Sequence, residues 1–257
     1  MSTTAPSLRH LSFPASLLLL GAAVAWVGVV AVARDMGPMP GTMGVGLGTF
    51  VAVWALMMTA MMLPSVTPFA SLYTRTFTNG RGRRLCALVG GYLLIWTLAA
   101  LPAYGLAWLA DRAIAGQPAA ATALAVAIFV ACGIYQLTPL KDRCLARCRS
   151  PLGFVLRFGS FEGRTRDLRV GLYHGGFCLA CCWALMALLV AFGLMNLAAM
   201  IGLAAIVLLE KTGPWGRSFS AVLGVAALVL AVLVVFQPNL APGLETGSMT
   251  TRMNPMP

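Results

Sequence analysis

The chain has 257 residues, of which 60% are hydrophobic and only 10% charged, with a mean hydropathy of +0.86. That composition excludes an ordinary soluble globular domain and fits an all-α polytopic membrane helix bundle. The net charge of +11 is unevenly placed and has no base-stacking aromatic ladder beside it, so it reads as membrane topology and not as nucleic-acid binding.

Seven apolar segments follow in chain order, at about 13–33, 45–63, 85–110, 119–138, 172–194, 197–210 and 218–236. Arg9 and His10 precede the first, and Ala31-Val32-Ala33 resembles a cleavage site. A run of about 20 residues is nevertheless too long for a signal peptide and right for an uncleaved span. The sixth segment is short for a full crossing. Fifteen of the 18 Lys and Arg residues fall on one side if all seven cross, against 14 if only six do. The positive-inside rule then puts the N-terminus in the cytoplasm. We expect one integral membrane domain over 1–257, with seven transmembrane helices, or six. An external methionine loop is expected at 34–44, a basic cytoplasmic loop at 139–171, and a flexible external tail at 238–257.

Sulfur is distributed along this frame. The first external loop carries Met36, Met39 and Met43, and the tail carries Met249, Met253 and Met256. Thioethers are soft ligands that survive where thiols oxidise. Segment 2 carries Met57, Met58, Met61 and Met62 on a broad face, after which Pro64 and Pro68 are expected to break the helix. An ordinary apolar loop and a frayed tail remain the alternative for the first two groups, and methionine filling gaps in helix packing for the third. Cys86 and Cys132 are isolated and read as small buried hydrophobes. Cys144 and Cys148 lie four apart in a basic stretch with Lys141, Arg143, Arg147 and Arg149. Two thiols one turn apart can grip one metal, and the cations favour thiolate.

Segment 5 holds the densest group. At 100° per residue His174, Cys178 and Cys181 share one helical face, with Cys182 at its edge and Met186 further round. Imidazole and thiols together select Cu(I), or Zn(II) or another soft metal. Trp183 falls opposite and is expected to pack outward. Gly175 and Gly176 are expected to let a neighbouring helix come close. Glu210, at the end of segment 6, is either a functional intramembrane carboxylate or a helix end paired with Lys211 or a loop arginine.

Met57-Met58-Thr59-Ala60-Met61-Met62-Leu63-Pro64-Ser65, Tyr135-Gln136-Leu137-Thr138-Pro139 through Cys144 and Cys148 to Pro151, Gly175-Gly176-Phe177-Cys178-Leu179-Ala180-Cys181-Cys182-Trp183, and Met195-Asn196 through Glu210-Lys211 appear in that order. Together they resemble a bacterial family of predicted metal-binding integral membrane proteins, of unknown function, some labelled copper chaperones. The likeness spans about 45–215. It departs at Ala180, where the family pattern has glycine, and leaves out the seventh segment and the tail. It implies metal binding in a bacterial inner membrane.

The sequence thus points to a membrane protein that binds Cu(I) for acquisition, transfer or delivery, with the lipid bilayer and a copper-accepting or copper-dependent protein as partners. A membrane thiol–disulfide oxidoreductase using a quinone, and a non-catalytic subunit of a membrane complex, are the alternatives. No phosphorylatable Asp-Lys-Thr-Gly motif and no phosphate-binding loop is present, which argues against ATP-driven pumping by this chain.

Overall fold

The computed structural model describes residues 13–36, 40–77, 79–150 and 165–244, together with Gly153 and Gly163. The helices are α1 (Phe13–Met36), α2 (Leu47–Arg75), α3 (Arg81–Leu98), α4 (Ala100–Gly116), α5 (Pro118–Gln136), α6 (Pro139–Cys148), α7 (Arg166–Phe192), α8 (Leu197–Thr212) and α9 (Gly216–Phe236). The described residues contain no strand, so the fold is an all-α polytopic bundle. Six helical stretches are long and apolar enough to cross a membrane, α3 and α4 counting as one. Met39 and the tail methionines Met249, Met253 and Met256 lie outside the described residues.

The sixth apolar segment forms α8, a helix of only 16 residues. At 1.5 Å per residue it reaches about 24 Å, short of a full hydrocarbon core. Asn196 caps its start by accepting from the Ala199 amide at 3.1 Å.

The structure departs from several of these expectations. Pro64 and Pro68 do not end α2, which runs unbroken through both to Arg75. Each proline removes one backbone bond, but the helix is clamped by α1 and α3 along its length, and a packed membrane helix tolerates that loss. A break occurs instead at Ala99, where α3 gives way to α4. Pro102 lies four residues beyond Leu98, and its ring clashes with that carbonyl in a continuous helix.

The loop at 34–44 is also less free than its Gly/Pro content suggests. Asp111 of α4 accepts from the Thr42 amide at 3.0 Å and from the Thr42 hydroxyl at 2.5 Å. Gly41 takes a left-handed φ of 59° against that carboxylate, where a Cβ would collide. Met43 is consequently buried and Met36 half-buried. At the other terminus, residues 238–244 are not loose: they form two 3-10 turns. Ala241 and Leu244 are buried there, and Gly243 presses on Val190 and Gly193 at the end of α7.

Candidate metal centre

The centre is built on α7, and glycine decides how close its neighbour comes. A Cβ on Gly91 of α3 would collide with the Leu168 carbonyl, and one on Gly171 of α7 with the Leu88 carbonyl. The two backbones therefore touch, as small residues allow between membrane helices. Gly175 continues the seam against Tyr92, whereas Gly176 faces open space. The contact aligns Tyr92, eleven residues into α3, with Cys178, twelve residues into α7. Both lie roughly 17–18 Å along their helices at 1.5 Å per residue.

Cys178, Cys181 and Cys182 are all buried. The Cys181 Sγ stands 3.3 Å from that of Cys182 and donates to the Cys178 carbonyl at 3.2 Å. Cys181 also points at Cys148 of α6, with the two sulfurs 3.8 Å apart. Thr138 caps α6 by accepting from the Lys141 amide at 3.3 Å, and Pro139 occupies its first turn. That cap starts a helix immediately after α5 and brings Cys148 back to α7. Cys144 is buried on the same short helix. Thiols distant in sequence thus meet.

Two buried lysines flank the thiols. Lys141 Nζ donates to Glu210 Oε2 at 2.8 Å and to the Cys181 carbonyl at 2.6 Å. Gln136 Nε2 donates to the other Glu210 oxygen at 3.0 Å, and Ser220 of α9 donates to Gln136 Oε1 at 3.3 Å. Burial alone would lower the Lys141 pKa, but Cys182, Glu210 and Cys181 outweigh it and hold the ammonium above its ordinary value. Glu210 is therefore paired, but with Lys141 and not with Lys211. Arg149 closes the corner by donating to the carbonyls of Glu210 and Gly213 at 2.6 and 2.5 Å.

Lys211 turns the other way. Its Nζ donates to Cys178 Sγ at 2.8 Å and to Ser65 Oγ at 3.1 Å. The Tyr92 hydroxyl lies 3.0 Å from the same sulfur and 3.4 Å from Ser65. Lys211, Tyr92 and Ser65 were not among the candidates read from the sequence. A lysine closing an apolar segment is itself a signal for function; Tyr92 and Ser65 leave no such trace.

The remaining candidates fall around this core. Met57, Met58, Met61 and Met62 are all buried within α2, and the Met62 carbonyl accepts from Ser65 at 2.9 Å. That places the C-terminal edge of the methionine face beside the Lys211–Cys178 pair. His174 is buried one turn before Cys178, its ring stacked on Phe69 of α2 at 4.2 Å and tilted on Tyr92 at 5.9 Å. Met186 is buried two turns beyond Cys178. Trp183 lies outward against Tyr135 at 4.9 Å and lines an apolar cavity of about 810 Å³ on the far side of α7. Cys132 is buried as expected, but Cys86 is exposed. Among the described residues no group of three or more His, Cys, Asp or Glu forms a ready multidentate cage. What the chain offers is close thiol pairs.

A family model described as PpoB2, copper chaperone, matches residues 51–234. The chain belongs to that family. No curated protein and no solved structure matches it. The matched span runs from α2 into α9 and includes every cysteine, both lysines and Glu210. Membership carries a copper-related role in a chain whose helices suit a membrane.

Proposed function

We propose that this protein binds Cu(I) within the membrane and hands it to a copper-accepting or copper-dependent partner. The observation that carries the reading is the meeting of Cys181 with Cys182 at 3.3 Å and with Cys148, from a separate helix, at 3.8 Å. Buried soft donors of this kind favour Cu(I). Zn(II) in structural sites takes four ligands in a tetrahedron, and the close thiol pairs suit a low-coordinate ion better. Cys178, Cys181 and Cys182 form the holding set, with His174 at its margin; Met186 lines the cavity on the far side of α7 and stands apart from it. Met57, Met58, Met61 and Met62 supply thioethers on the approach from Met36, Met39 and Met43. Cys148, with Cys144 beside it, is the exit thiol, because α6 lies at the basic end that the positive-inside rule assigns to the cytoplasm.

The test is elemental analysis of the full chain purified in detergent under reducing conditions. Wild type carries stoichiometric copper, and the triple variant C178S/C181S/C182S loses it while keeping its helical content. A folded triple variant with the full copper complement overturns the reading.

A further inference from the structure

The two buried lysines differ in one respect. Lys141 has a carboxylate partner, and that pair is neutral. Lys211 is also buried, yet among the described residues no carboxylate lies within ion-pair distance of it. Its ammonium is directed instead at Cys178 Sγ, 2.8 Å away, with Ser65 Oγ as the only other acceptor described. A buried charge is costly unless matched. The group that matches this one is sulfur.

Charge bookkeeping then gives the lysine a role toward cargo. Cu(I) held by Cys178 and one other thiolate of the holding set leaves one net negative charge, and burying that complex alone is unfavourable. One ammonium beside one of those sulfurs makes the assembly neutral. Hg(II) on the same two thiolates is already neutral, so the same ammonium becomes an unmatched charge. For any number of thiolates the divalent ion is one unit more positive. The lysine therefore discriminates by charge among ions with the same taste for sulfur.

We propose that Lys211 is the specificity-determining counter-charge of the thiol centre, making it a site for a monovalent soft cation and disfavouring a divalent one. Lys211 need not ligate the ion. It acts through its contact with Cys178, while Ser65 accepts from the same ammonium and holds it beside that sulfur. The inference rests on the Cu(I)-binding reading above and adds to it which ion the site prefers and why.

The experiment measures Cu(I) and Hg(II) affinities of the full chain in detergent, by competition against a soluble thiol chelator, for wild type, K211M and K211R. Stripping the partner from a buried charge is expected to weaken Cu(I) binding about 100-fold in K211M. Hg(II) binding in K211M stays equal or tightens, which also certifies that the variant is folded and its thiols are in place. K211R keeps the charge and recovers most of the Cu(I) affinity. The proposal is overturned if K211M holds Cu(I) as wild type does, if it loses Cu(I) and Hg(II) alike, or if K211R falls as far as K211M. Failure of the underlying reading looks different: wild type itself takes up no Cu(I), or its cysteine-to-serine triple variant binds as well as it does.

Discussion

The pairing of α5 with α9 rests on close apolar packing at glycines, whereas the meeting of α3, α6, α7 and α8 adds a buried polar network to such a glycine seam. Between α5 and α9, Gly133 and Gly224 lie against each other, with Leu137 and Leu228 filling the sides. On the outer face of α9, Val222, Val225, Val229 and Val232 are exposed, as suits contact with acyl chains. Only at one end does a polar contact appear, where Ser220 reaches Gln136. At the centre, by contrast, two ammonium groups, a carboxylate, a phenol and thiols are packed with almost no exposure. Lipid supplies no hydrophobic drive between helices, so close apolar packing serves for the periphery. Polar groups that persist inside must satisfy one another. The difference teaches that adhesion and chemistry are separable here.

The largest test of that separation is Glu210→Gln. It leaves Lys141 buried beside a neutral amide, and breaking a buried pair in this way costs about 3–5 kcal/mol. Thermal unfolding in detergent should show the loss. The double variant K141M/E210Q should recover much of it, since it removes both charges. A single variant as stable as wild type would mean that the centre is no more demanding than the periphery.

A smaller effect is expected at the α3–α7 seam. Gly91→Ala drives a methyl group into the Leu168 carbonyl, whereas at Gly90 a Cβ meets nothing within 4 Å. Overpacking costs about 1–3 kcal/mol, and pushing α3 away also parts Tyr92 from Cys178. Gly91→Ala should thus lose stability and bound copper together, while Gly90→Ala keeps both. Equal behaviour of the two variants would remove the seam from the argument.

These contrasts mark what could be read in advance. Hydropathy delivered the membrane bundle, and even the weak sixth segment proved short, because a span needs a length of apolar residues that one can simply count. Helical spacing brought Cys178, Cys181 and Cys182 to one buried face and turned Trp183 outward. Spacing could not choose between partners at equal depth. Glu210 and Lys211 are neighbours in sequence, yet successive residues of a helix point about 100° apart, so one faces Lys141 and the other Cys178. The unbroken passage of α2 through Pro64 and Pro68 was hidden for a related reason: the packing supplied by α1 and α3 is tertiary. So was the burial of Met43, which depends on Asp111, 69 residues after Thr42.

Tyr92→Phe is the gentlest change and the one that best separates hydrogen bonding from charge. The hydroxyl touches Cys178 Sγ at 3.0 Å, Ser65 Oγ at 3.4 Å and the Met62 carbonyl at 3.4 Å. Removing it deletes these contacts but leaves the ring against His174 and the ammonium of Lys211 on the sulfur. A hydrogen bond is worth about 1 kcal/mol net, somewhat more when it reaches a charged sulfur, so stability and Cu(I) affinity should each fall by less than loss of the ammonium costs, measured by the same unfolding and competition assays. If the lysine's charge governs copper binding, Tyr92→Phe stays much closer to wild type than K211M does. If the two variants lose Cu(I) equally, the ammonium matters only as one more donor in a network, and the centre would be held together by hydrogen bonds in the way the periphery is held together by shape.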